Sequence, residues 1–260
     1  MISLNNKTVF ITGATAGIGE SCAYAFAKNG ANVIITGRRK ERLDSMKQDL
    51  EDKFNVRVLS VKMDVTDRSE VIKSIANLSY EWKNIDILVN NAGLGRGLNK
   101  VYEDNPEGWD EMIDTNIKGL LIVTKEVVKE MIERKKGHVI NIGSIAGHQA
   151  YPGGSVYCAT KHAVRAITDA LRIENLEHGI RVSTVDPGMV ETEFSEVRFY
   201  GDKDRAKNVY KGLEPLHGDD VAETVIFCAT RPKHVNINEI IVMPSAQATA
   251  MIAHRDDVKE

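Results

Sequence analysis

Tyr157 and Lys161 stand four residues apart in Tyr157-Cys158-Ala159-Thr160-Lys161. If that segment is helical, the two side chains share a face. An ammonium beside a phenol favours the phenolate and draws its pKa down from about 10 toward neutrality. The tyrosine can then give a proton to a carbonyl oxygen in reduction, or take one from a carbinol in oxidation. Ser144, at the end of a short β-branched run, is placed to hydrogen-bond the same oxygen. A Tyr and a Lys at this spacing also make an ordinary packed surface pair, so their surroundings decide.

One such surrounding is Thr12-Gly13-Ala14-Thr15-Ala16-Gly17-Ile18-Gly19, which follows an apolar run and opens a helical stretch. Glycines there let the backbone approach a pyrophosphate, whose charge meets the positive end of the helix dipole. Any tight strand-to-helix turn can use glycine, but here the context is right on both sides. The spacing, Gly-x-x-x-Gly-x-Gly, differs from the Gly-x-Gly-x-x-Gly of two-domain dehydrogenases. Gly13, Thr15, Ala16, Gly17, Ile18 and Gly19 are therefore expected to hold a dinucleotide. The second apolar run ends in Thr36-Gly37-Arg38-Arg39-Lys40, where an NAD site carries a carboxylate for the ribose 2′-hydroxyl. Arg38 and Arg39 suit a 2′-phosphate instead, through charge-assisted, often bidentate bonds. Cations at a helix start oppose the dipole, so no structural motive explains them. The expected cofactor is NADP. Asp64 and Val65, closing the third run, would lie beside the adenine, with Asp64 accepting from its amino group.

The elements that must position these groups alternate along the chain. Seven short runs read as strands: 8–11, 32–35, 56–61, 85–89, 138–142, 181–185 and 239–242. Most are apolar on both faces, as the central strands of a parallel sheet must be. Segments long enough for crossover helices lie between them, such as Glu41–Asp52 and Pro106–Arg134. This pattern predicts an α/β fold of the Rossmann type, a doubly wound parallel sheet of about seven strands with helices on both faces. No Pro/Gly/Ser-rich linker, charge block or repeat divides residues 1–260, so a single domain is expected. A formal net charge of −3 gives no reason to expect a nucleic-acid partner. There is no apolar run of membrane-spanning length and no secretory signal at the start. The three cysteines, Cys22, Cys158 and Cys228, match no metal or disulfide spacing. No metal is expected, and a cytoplasmic location is.

Taken in order, Thr12 to Gly19, Asn90-Asn91-Ala92-Gly93, Ser144 and Tyr157-x-x-x-Lys161 resemble the short-chain dehydrogenase/reductase family, over nearly the whole chain from Lys7 to about Pro244. The resemblance implies a catalytic tetrad of Asn116, Ser144, Tyr157 and Lys161, with Asn116 holding a water on a proton relay through Lys161 and the ribose hydroxyl. It implies that Asn91, Ala92 and Gly93 line the adenosine side and that Pro187 and Gly188 flank the nicotinamide. Val190 and Thr192, just beyond, are further cofactor positions. Thr160 departs from the pattern, many members carrying serine there.

Three stretches, Ala150–Tyr157, Val190–Phe199 and His234–Asn238, resemble one subgroup, the NADP-dependent 3-hydroxy acid dehydrogenases. These act on serine, allo-threonine, 3-hydroxyisobutyrate or 3-hydroxypropionate. The long polar segment Glu191–Pro215 carries aromatics and is expected to form a lid over the substrate, the other reading being a surface loop. Arg198 on that segment either grips a substrate carboxylate or pairs with Glu196 or Asp202. Gln149 and Tyr151 are expected in the pocket wall. The family pairs the helices near Pro106–Arg134 and Ser155–Glu177 across a two-fold axis, which implies a dimer or a tetramer, and the resemblance to the subgroup implies a homotetramer. Two other functions stay open: a 3-oxoacyl thioester or general carbonyl reductase, and an NADP-binding regulatory protein without chemistry.

Overall fold

The computed structural model describes residues 2–257. Seven strands form one parallel sheet: β1 (Thr8–Ile11), β2 (Asn32–Gly37), β3 (Val58–Lys62), β4 (Ile87–Asn90), β5 (Gly137–Ile142), β6 (Ile180–Pro187) and β7 (Glu239–Val242). Their order is β3-β2-β1-β4-β5-β6-β7. Direction along the sheet reverses between β1 and β4, and ligands of open α/β sheets bind at the carboxyl ends of such a switch point. The helices are α1 (Gly17–Lys28), α2 (Lys40–Phe54), α3 (Arg68–Ala76), α4 (Tyr80–Lys83), α5 (Pro106–Ile113), α6 (Leu120–Glu133), α7 (Ser155–Glu174), α8 (Phe194–Arg198), α9 (Lys203–Asn208) and α10 (Gly218–Ala229).

Alternation within the buried strands divides the core in two. Val9, Ile11, Val33 and Ile35 face Cys22, Ala23 and Phe26 of α1 and Val221 and Val225 of α10. Phe10, Ile34 and Leu88 face the other side, against Val123, Val127 and Met131 of α6. Each fully buried side chain of this size contributes about 1.5–3 kcal/mol, and together they fix the strand ends from which the site residues project.

Boundaries differ from expectation where side chains meet distant partners. β3 stops at Lys62, so Asp64 and Val65 lie past its end rather than closing it. The stretch from Pro106 to Arg134 is not one continuous α-helix. Asn105 caps α5 by accepting from the Glu107 N–H at 3.2 Å, and Pro106 fits the first turn because its missing donor would be unpaired there. A π-helical turn over Asp114–Gly119 then interrupts the path before α6. Such turns are uncommon and concentrate at functional sites; this one holds Asn116. The segment 191–215 folds into α8 and α9. No helix among the described residues is long and apolar enough to cross a membrane.

Candidate active site

A cavity of about 350 Å³ opens at the carboxyl ends of the strands. Gly13, Thr15, Ala16, Gly17 and Ile18 line one part of it, with Arg38, Arg39, Asp64 and Val65 beside them. Asn91, Ala92 and Gly93 form its middle. Ser144, Tyr157, Lys161, Pro187, Gly188, Val190 and Thr192 close the far end.

The glycine turn is locked by its neighbours. Asn91 Nδ2 donates to the carbonyls of Thr12 and Gly13 at 3.0 and 3.1 Å, while Thr12 Oγ1 accepts from the N–H groups of Asn91 and Ala92 at 3.0 Å each. Gly13 has φ +66°, and a Cβ there would stand 2.9 Å from the Ala92 Cα. Gly19 lies behind the cavity wall, where a Cβ would fall 2.3 Å from Asn91 Nδ2. No side chain caps the start of α1, so its first N–H groups remain free for an anion. The glycines thus leave the turn's backbone open to close approach at a helix start that no side chain caps.

Beyond the turn, Arg39 is held by Thr15, whose Oγ1 accepts from Nε at 3.0 Å and Nη2 at 2.8 Å. Arg39 and Arg42 both bind the Glu193 carboxylate at 2.6 Å, one to each oxygen. Burial pushes the Glu193 carboxyl up, but the hydrogen bonds from Arg39 and Arg42 outweigh it and hold it below the usual range. Arg38 stays largely exposed, its guanidinium 3.9 Å from Asp64. Asp64 itself accepts from the N–H and hydroxyl of Thr66.

At the other end, Ser144 lies two residues past β5 and caps the short 3₁₀ turn Ile145–Gly147 by accepting from the Ala146 N–H at 3.1 Å. Tyr157 and Lys161 lie in the first two turns of α7. Lys161 is buried, and its Nζ donates to the Ile142 carbonyl at 2.9 Å. Burial brings the lysine down to about 8, opposed by the buried Asp186 carboxylate. Tyr157 moves the other way from expectation. Burial raises the phenol, and the groups that oppose this are Arg198 and the Ser144 hydroxyl. The spacing correctly put Lys161 near Tyr157, with Nζ 6.0 Å from the ring centre. It did not foresee that the ammonium would be engaged by a backbone carbonyl, or that desolvation would outweigh it.

Asn116 is buried in the π turn. Its amide donates to the Leu94 carbonyl at 2.9 Å and Thr160 Oγ1 at 3.0 Å, and accepts from the Leu94 N–H at 2.9 Å. It fastens the loop after Gly93 to α7, and Thr160 fills the position expected to depart from pattern. Arg198 sits over the Tyr157 ring at 4.7 Å and the Phe194 ring at 4.9 Å. Its Nη2 reaches the Tyr151 hydroxyl at 3.4 Å, and its buried Nε has no partner. No ion pair of Arg198 with Glu196 or Asp202 occurs among the described residues. Gln149 stands apart. It is exposed, does not line the cavity, and its Oε1 accepts from the Ala250 N–H at 2.8 Å. A chain segment a hundred residues later takes up the polar end expected for substrate.

Arg42, Glu193 and Phe194 were not singled out from sequence. Arg42 had a signal, since it follows Arg39 by three on α2 and so shares its face. Glu193 had none, because its partners lie more than 150 residues earlier.

Residues 7–201 match the short chain dehydrogenase family, and the chain belongs to that family. The NADP-dependent 3-hydroxy acid dehydrogenase of Schizosaccharomyces pombe is 44% identical over 256 residues, 98% of this chain and 99% of that protein. Serine 3-dehydrogenase of Rhizobium radiobacter is 44% identical over 94% of this chain and 96% of its own. Among solved structures, the closed form of a serine dehydrogenase complexed with NADP+ superposes with a TM-score of 0.89 at 45% identity, covering 96% of this chain and all (100%) of that one.

Proposed function

We propose that the protein is an NADP-dependent dehydrogenase of small 3-hydroxy acids, such as serine, allo-threonine or 3-hydroxypropionate, and yields the 3-oxo acid or semialdehyde with NADPH and a proton. The carrying observation is Arg198, a guanidinium stacked on Tyr157 with a buried, unpartnered Nε. An unmet buried donor costs about 1–3 kcal/mol, and a carboxylate meets it. In a 3-hydroxy acid a single carbon separates the carboxyl carbon from the carbinol carbon. A carboxylate on Arg198 therefore brings the hydroxyl to Tyr157, directly beneath. The likeness to 3-hydroxy acid and serine dehydrogenases supports the same reading.

Tyr157 takes the hydroxyl proton, Ser144 holds the same oxygen, and Lys161 supplies positive charge beneath the phenol. Asn116 keeps the loop beside Lys161 in place and, by the family resemblance, a relay water. When bound, NADP+ would supply the acceptor for the hydride that leaves C3. The glycine turn would hold its pyrophosphate, Arg38 and Arg39 its 2′-phosphate, and Asp64 and Val65 its adenine. Residues 191–215 act as the lid, since α8 carries Phe194 and Arg198 and the residue before it is Glu193. Four copies assemble through α6 and α7, where Leu121, Ile173 and the adjoining Leu176 are exposed; light scattering that gives a monomer mass would overturn this. Three free, buried cysteines fit a reducing, cytoplasmic setting.

The direct test follows NADPH absorbance with a panel of substrates. Serine, allo-threonine and 3-hydroxypropionate are expected to be oxidised with NADP+ and far more slowly with NAD+. Rapid reduction of acetoacetyl thioesters with no rate on serine would replace this reading by a thioester reductase.

A further inference from the structure

The 2′-phosphate site contains a carboxylate that an anion-binding site has no evident use for. Glu193 places one oxygen on Arg39 and the other on Arg42, both at 2.6 Å. It lines the same cavity as Arg38 and Arg39. Arg39 is also fixed by Thr15 of the glycine turn, and Arg42 Nη1 approaches the Thr15 carbonyl at 3.4 Å. The two guanidiniums therefore converge on the point where the turn meets α2, and the group they share is an anion.

We propose that Glu193 is an internal stand-in for the 2′-phosphate, competing with it for Arg39 and Arg42, so that both Glu193 and Arg42 set the affinity for NADP. This rests on the NADP reading of the cavity. Two oxygens of a phosphate match two guanidiniums as two carboxylate oxygens do, with more charge. Both anions cannot keep the full pairing, because like charges at this separation repel. The phosphate must therefore displace or share with Glu193, whereas NAD, lacking that group, leaves the Glu193 pairs intact.

The location gives the competition a consequence. Glu193 is the residue before α8, the helix that bears Phe194 and Arg198 against Tyr157. Displacing it loosens the adenosine-side anchor of the substrate arm. The 2′-phosphate thereby acts on the carboxylate-gripping helix without touching it, and NAD does not. The arginine and glutamate side chains keep about half their surface in solvent (43%, 50% and 41% exposed). Each exposed pair is therefore worth little, and the effect on binding is about three- to tenfold rather than a thousandfold.

The experiment is equilibrium titration of the full chain with NADP+, NAD+ and adenosine 2′,5′-bisphosphate, by calorimetry, for the parent, Glu193→Gln and Arg42→Met. Glu193→Gln is expected to tighten NADP+ and the bisphosphate by about three- to tenfold and to leave NAD+ within about twofold, which also shows the variant is folded. Arg42→Met is expected to weaken NADP+ and the bisphosphate by about tenfold with NAD+ again unmoved. Weaker or unchanged NADP+ binding by Glu193→Gln overturns the proposal, as does equal tightening of both cofactors or an Arg42→Met variant that binds NADP+ normally. A parent protein that binds NAD+ as tightly as NADP+ would instead overturn the NADP reading itself, a separate outcome of the same titrations.

Discussion

At the end of the cavity beside the glycine turn, Arg38 keeps 70% of its side chain in solvent and Arg39 43%, and their charges are answered by Asp64 and Glu193. At the far end, beside Ser144 and Tyr157, Lys161 is 7% exposed, donates to a backbone carbonyl and has no carboxylate within ion-pair distance among the described residues. The same kind of charge is thus handled in two ways. Where water remains, each cation is paired with a carboxylate. Where water is excluded, desolvation disfavours both charged forms, the lysine falling to about 8 and the tyrosine rising. Both groups are biased toward their neutral forms, and a phenol that keeps its proton can donate it to a carbonyl oxygen, which suits the dry end to proton transfer and the wet end to anion binding.

Removing the phenol breaks the dry end outright. Tyr157→Phe is expected to lower kcat by about 10³–10⁴-fold, at the upper part of the general acid–base range, with NADP+ affinity by titration nearly unchanged. A Phe variant that turns over like the parent would remove Tyr157 from the chemistry.

Lys161 offers a subtler break, read as stability. Its pKa is about 8 in the folded chain and returns to about 10.4 on unfolding. Between those values the unfolded chain binds more protons, so stability rises with pH there, and the penalty for the buried ammonium is fully present below about pH 8. Lys161→Met is expected to inactivate the enzyme yet stabilise it, without cofactor, by ~1–3 kcal/mol near neutral pH. The gap should close as pH climbs from 8 toward 10. Denaturation midpoints at several pH values check this, and a destabilised variant at pH 7 would mean the lysine is not held at a cost.

Ionic strength sharpens the contrast with the smallest effect. The Debye length shrinks from about 10 Å at 0.1 M salt to 3 Å at 1 M. NADP+ binding at the exposed arginines is expected to weaken by about three- to tenfold, while KM for serine, set where Arg198 stacks on Tyr157 and Phe194, changes by less than about twofold. Equal weakening of both would show the two ends to be alike.

The sheet was legible because its central strands are apolar on both faces, so β1 ends where the run 8–11 ends. The glycine turn was legible because close backbone approach leaves glycine as the permitted residue. The tetrad's Ser, Tyr and Lys followed from type, spacing and family resemblance together. Other features depended on contacts that no local pattern encodes. The π turn that presents Asn116 carries no compositional mark. Glu193 finds its arginines across most of a domain's length of chain. Gln149 is drawn to Ala250, and the direction of the Tyr157 shift depends on how much water the folded cavity excludes. Spacing predicts which groups meet, and burial then sets which of their states is favoured.

The most direct test of carboxylate recognition at the dry end is Arg198→Met assayed with serine and with an uncharged ketone of similar size. The loss of one charged hydrogen-bonding partner should raise KM for serine by about 10–100-fold, with kinetics on the ketone changed by less than about threefold. Equal effects on the two substrates would contradict Arg198 as the carboxylate grip, and with it the assignment to 3-hydroxy acids.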